Sequence, residues 1–115
     1  MVATQKAVNG FRIPKRTARL IFVDDYEGAE IVVRLDVPVA IFLEIQDLVS
    51  SGDQLRVFEM FGDKVLDEWN LQDDDGNPHP PTGFGMNSIP IHLANNILEQ
   101  WVEVATKVPA PLDRG

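Results

Sequence analysis

Apolar positions first alternate with polar ones and later recur every three to four residues, and that change of period divides the chain. Thr17-Ala18-Arg19-Leu20-Ile21-Phe22-Val23 is rich in branched and aromatic residues, with Leu20 and Phe22 on one face. Ala29-Glu30-Ile31-Val32-Val33-Arg34-Leu35 sends Ile31, Val33 and Leu35 one way and Glu30, Val32 and Arg34 the other, as successive strand side chains must. Between them lies Asp24-Asp25-Tyr26-Glu27-Gly28, where Gly28 can take a left-handed turn conformation. The pattern predicts a hairpin over 17–35. Two strands cannot bury an apolar face alone, so a helical layer must cover it.

Three segments are read as that layer. Over 38–49, Ile41, Phe42, Ile45, Leu48 and Val49 form one stripe. Asp36 or Val37 caps it, Pro38 sits in a first turn that has no partner for the missing donor, and Ser50-Ser51-Gly52 ends it. Over 53–69, a helix begun by Ser51 or Asp53 puts Leu55, Phe58, Phe61 or Gly62, Val65 and Trp69 at helical spacing. Gly62 costs that helix about 1 kcal/mol relative to Ala, which predicts a bend or break near Gly62-Asp63. Over 89–107, with Ser88 as N-cap and Pro90 in the first turn, Ala94, Ile97, Leu98, Trp101, Val102 and Ala105 make the clearest amphipathic stripe. Pro109 and Pro111 stop it.

Before the last helix runs a connector, Trp69-Asn70-Leu71-Gln72-Asp73-Asp74-Asp75-Gly76-Asn77-Pro78-His79-Pro80-Pro81-Thr82. Asp75-Gly76-Asn77 favours positive φ, and three prolines keep the exit extended, so the segment reads as ordered and anchored by Trp69 and Leu71. The expected fold is α+β: an N-terminal β-hairpin packed on about three α-helices, in a single domain over 17–108. Residues 1–16 read as a basic arm, flexible unless a partner holds it, and 109–115 as a loose tail.

Charge changes the picture. Over all 115 residues the net charge is −8, yet residues 1–23 carry five positive charges and no negative ones, which leaves −13 on the remainder. An acidic body argues against nucleic acid as partner, because such affinity rests on neutralised phosphates. The basic arm reads as a solvated tail, or as a segment that binds nucleic acid weakly or docks on an acidic protein. No apolar run reaches the length of a membrane span and the N-terminus lacks a signal-peptide core, so the expected location is cytoplasmic. With no cysteine, disulfides and thiolate chemistry are excluded.

Candidate chemistry is sparse. Asp73-Asp74-Asp75 before Gly76 suggests a calcium loop, but the alternate ligand position falls on Leu71 and no glutamate stands six beyond the glycine. His79 and His92 lie too far apart in sequence to complete a transition-metal motif. Ser88 and His92 would share a helix face as nucleophile and base, although capping explains Ser88 better. The expectation is no catalytic, cofactor or metal residue and no enzyme. Trp69 and Trp101 are either core anchors or partner-binding hot spots. Phe84 and Met86, bracketed by Gly83 and Gly85, read as an accessible apolar pair. Candidate partner-binding residues are therefore Phe58, Phe61, Trp69, Phe84, Met86 and Trp101, all but Met86 bordering a groove between the helical segments.

The order of a hairpin with Tyr26-Glu27-Gly28, a helix led by Pro38, Trp69-Asn70-Leu71 followed by Asp-Asp-Gly-Asn-Pro and Pro-Pro-Thr, and a helix entered through Ser88-Ile89-Pro90 and ending near Trp101 resembles the tail assembly chaperones of long-tailed bacteriophages. The match is to the small acidic form encoded upstream of the tape-measure protein and spans roughly residues 17–105; the basic arm has no counterpart in it. The resemblance implies a non-enzymatic protein that binds and solubilises the tape-measure protein, helps recruit tail tube protein, and acts in the host cytoplasm without entering the mature virion. It also implies, for many members, a longer frameshifted form, which a protein sequence cannot display. Two other readings stand beside it: a virion tail or head–tail component, and a small acidic inhibitor or immunity protein for a basic partner.

Overall fold

The computed structural model describes residues 9–107 and has an α+β architecture. Strand β1 (Thr17–Arg19) pairs antiparallel with β2 (Ile31–Arg34), and β2 pairs antiparallel with β3 (Leu66–Trp69), giving the order β1-β2-β3. Helices follow as α1 (Val39–Ser51), α2 (Gln54–Lys64), the single turn α3 (Gly83–Met86) and α4 (Ile91–Thr106). The expected tail 109–115 and the first half of the arm lie outside the described residues.

The hairpin forms where the alternation placed it. Leu20 and Phe22 are buried and Ile21 and Val23 exposed, so the period of two persists beyond the paired part of β1. A 3-10 turn at Asp24–Tyr26 makes the link, with Asp24 at φ 57° and Gly28 at φ 100°. Ile31 and Val33 face inward with no exposure at all, and Ala18 and Leu66 flank Val33 across the sheet. Outside, Arg19 pairs with Glu30 at 3.4 Å and Arg34 with Asp67 at 3.6 Å. Exposed pairs of this kind contribute at most about 1 kcal/mol each, so the inner face holds the sheet.

The second predicted helix is corrected. It spans 54–64, not 53–69, and the chain then turns into a third strand. Leu66 and Trp69 are three apart, which suits a helix face, but β2 had an unpaired edge and Leu66-Asp67-Glu68-Trp69 fills it. Register passes from Val32 opposite Glu68 to Val33 opposite Leu66, so Asp67 is the extra residue of a bulge. Asn70 then clamps the hairpin: its Nδ2 donates to Gly28 O at 3.1 Å and its Oδ1 accepts from Glu30 N at 2.8 Å.

Three further expectations change. Gly62 marks no bend; α2 runs on to Lys64, and the missing side chain admits the Thr82-Gly83 backbone. Pro38 and Pro90 are the capping positions of α1 and α4, without side-chain caps, so Asp36, Val37 and Ser88 do not cap. The Ser88 hydroxyl donates to Phe84 O instead, at 2.8 Å. By contrast Gly52, at φ 82°, ends α1 in a Schellman arrangement, with Gly52 N and Asp53 N donating to Val49 O and Leu48 O, and Asp53 caps α2 through Arg56 N.

One core runs between sheet and helices. Ile31, Val33, Phe58, Phe61, Val65, Leu66, Met86, Leu93, Ile97 and Trp101 are all sealed within it. Trp101 lies between Phe42 and Phe61, with ring centroids 5.3 and 5.4 Å away in tilted and edge-on geometry, a favoured arrangement of aromatic quadrupoles.

Candidate functional site

Helix α1 is apolar on most of its circumference, a composition that normally signals a helix enclosed on all sides. Here only Ile45 is fully buried. Ile41, Phe42 and Leu48 are half-covered, while Val39, Leu43 and Val49 are exposed by 72 %, 56 % and 52 %. Val49, assigned to the inward stripe by spacing, therefore faces outward. Against one side of α1 lies α4, and the two helices bound a groove of about 340 Å3. Ile45 and Val49 form one wall, Leu98 and Val102 the other, with Gln46 and Glu99 at the rim. A smaller recess of about 190 Å3 opens near the start of α1, lined by Leu35, Val37, Val39, Phe42 and Trp101.

The electrostatics of this face are one-sided. Glu99 is the charged residue lining the groove, and α1 and α4, whose other charges are Glu44, Asp47 and Glu103, carry no lysine or arginine. The result is an apolar trough under a negative rim.

The residues picked out by sequence do not gather into one groove. Phe58, Phe61, Met86 and Trp101 are core residues, sealed away from any partner in this structure. Met86 is corrected most sharply: it is 1 % exposed, because Gly83 and Gly85 fit closely against α2 and the connector and carry α3 inward. Phe84, on the opposite side of the same turn, is 74 % exposed. Trp69 is half-buried and anchors the connector, its Nε1 donating to His79 O at 2.7 Å. Trp101 Nε1 is buried with no partner among the described residues, so this ring contributes by packing alone.

The acidic connector is a built turn. Asp73 Oδ1 accepts from Asp75 N and Asn77 N, both at 2.9 Å, and Asp73 N donates to Asn77 O. The Asn77 N–H contributes most to holding the Asp73 carboxyl below its ordinary value, with the Asp75 N–H and the charge of His79 acting the same way. Gly76, at φ 84°, completes the turn, and Gln72 bridges to Pro78 beyond it. Among the described residues, no three His, Asp or Glu side chains gather closely enough to hold a metal ion, and no helix is long and apolar enough to cross a membrane. His92 is exposed on α4, and the Ser88 hydroxyl is engaged with Phe84 O.

The outward residues of α1 escaped the sequence reading although their signal was present. Val39, Ile41, Phe42, Leu43, Ile45, Leu48 and Val49 cannot all face one way on a helix, so some had to be left outside. No protein-family model matches this chain, and the searches of curated proteins and of solved structures returned no match.

Proposed function

We propose that the chain is a non-enzymatic assembly chaperone that shields an apolar helix of a partner, and specifically a tail assembly chaperone that holds the tape-measure protein in the host cytoplasm until tail tube protein arrives. The observation that carries the reading is α1: an apolar helix with a single sealed residue, bordering an apolar trough whose one charged lining residue is Glu99. An amphipathic helix laid into such a trough removes apolar surface from water on both partners. The acidic body around it keeps the loaded complex soluble. The client surface is Val49, Leu98 and Val102, with exposed Phe84 as a separate contact, in place of a groove built on Phe58, Phe61 and Trp101.

The test is co-expression with an apolar helical fragment of a tape-measure protein. Co-purification and a larger soluble fraction of the fragment are expected. Insolubility of the fragment with and without this chain, and no co-purification, would overturn the reading.

A further inference from the structure

The described half of the basic arm, residues 9–16, forms neither helix nor strand, and every one of its residues is exposed. Two of them are large and apolar: Phe11 is 84 % and Ile13 80 % exposed. Such residues at alternate positions of an extended chain share one edge, with Arg12 on the other. The base of the arm is fixed, since Arg16 O accepts from Leu35 N at 2.7 Å beside the sheet edge. The arm is thus held at one end while its apolar edge finds no cover on its own body.

We infer that this chain self-associates by arm exchange, the segment Phe11–Arg16 of one copy lying in the α1–α4 groove of a second copy. Phe11 and Ile13, two residues apart in an extended segment, are separated by roughly 6.6 Å. Ile45 and Val49 along one wall, and Leu98 and Val102 along the other, are each four residues apart on a helix, about 6 Å. The two spacings match, so the two arm residues can seat at successive positions along the groove, whose accessible walls are Val49, Leu98 and Val102 over the sealed Ile45. Charge selects the same pairing. Arg12, Lys15 and Arg16 accompany an arm with no acidic residue, and the groove carries Glu99 at its rim, with Glu103 one turn further along α4 and no basic residue on either helix. The inference does not depend on a client; it names what fills the trough when no other protein is present.

Sedimentation of the full-length chain over a hundredfold concentration range, at low and high salt, tests it. Concentration-dependent self-association that weakens as salt rises is expected. Phe11→Ser with Ile13→Ser, on the exposed arm, should weaken association roughly tenfold or more. Val49→Glu, on the exposed groove wall, should do the same. Mixing the arm variant with the groove variant should restore a heterodimer, because each supplies what the other lacks. The inference is overturned by a monomer at every concentration, by association that survives the arm substitutions, by no heterodimer on mixing, or by cross-links of arm to groove within one chain at high dilution.

Discussion

Gly62 of α2 lies directly against the carbonyl of Thr82, so closely that a Cβ at Gly62 would overlap that peptide group. Backbone therefore meets backbone where α2 passes the end of the connector, and Asp63 Oδ1 reinforces the contact by accepting from Gly83 N at 2.7 Å. Gly62→Ala gains about 1 kcal/mol of helix propensity. It also forces two segments of main chain apart, an overpacking that costs about 1–3 kcal/mol and more where neither side yields. The clash wins: thermal denaturation should show Gly62→Ala less stable than the parent, and an unchanged or higher Tm would refute the contact.

Trp69 ties the connector to the body through one hydrogen bond and its ring. Trp69→Phe removes the bond to His79 O and keeps most of the apolar area. The expected loss is about 1 kcal/mol. Faster proteolytic cleavage between Asp73 and Pro81 should accompany it, and equal cleavage rates would show that the connector is held by other means.

Asp73 gives the turn a pH dependence of definite sign. Its folded carboxyl titrates below the ordinary value because backbone N–H groups of Asn77 and Asp75 bond the ionised form. A depressed folded value makes the contribution complete well above the unfolded pKa of about 3.9, and it is lost as pH falls through the folded value. A carboxyl-carbon NMR titration should place Asp73 below the ordinary aspartate value. Asp73→Asn should keep the turn at neutral pH and remove that acid-side dependence.

Core and outer face can be separated by a pair of substitutions. Phe61→Ala empties a site with no exposure and should cost about 3–5 kcal/mol. Val49→Glu, on the exposed groove wall of α1, should alter stability by no more than about 0.5 kcal/mol. If the groove between α1 and α4 is the client surface, only Val49→Glu abolishes co-purification while the protein remains folded. Retained capture by Val49→Glu would move the client elsewhere.

Local chemistry was legible and pairing over distance was not. Gly28 announces a left-handed position, Gly52 a helix end and Asp53 a helix start, because each needs only its immediate neighbours. Leu66-Asp67-Glu68-Trp69 reads as helix because two apolar residues three apart share a strand face only when a bulge intervenes; the deciding partner, β2, lies more than thirty residues earlier. Gly85 hid the fate of Met86 in a similar way: glycine signals exposure in a loop and close approach in a packed turn, and only the neighbouring Pro80 and Trp69 decide between them. The acidic-rimmed trough could be inferred as a surplus of apolar residues on α1, but not which of them the fold would leave outside.

The middle strand of the sheet receives its two neighbours from opposite directions in the sequence, one before it and one long after. A nascent chain that has reached α2 thus exposes an open ladder edge on β2 until the ribosome has released Trp69. Any product truncated before Leu66 keeps that edge permanently, so premature termination there yields a sticky fragment, not merely a shorter one.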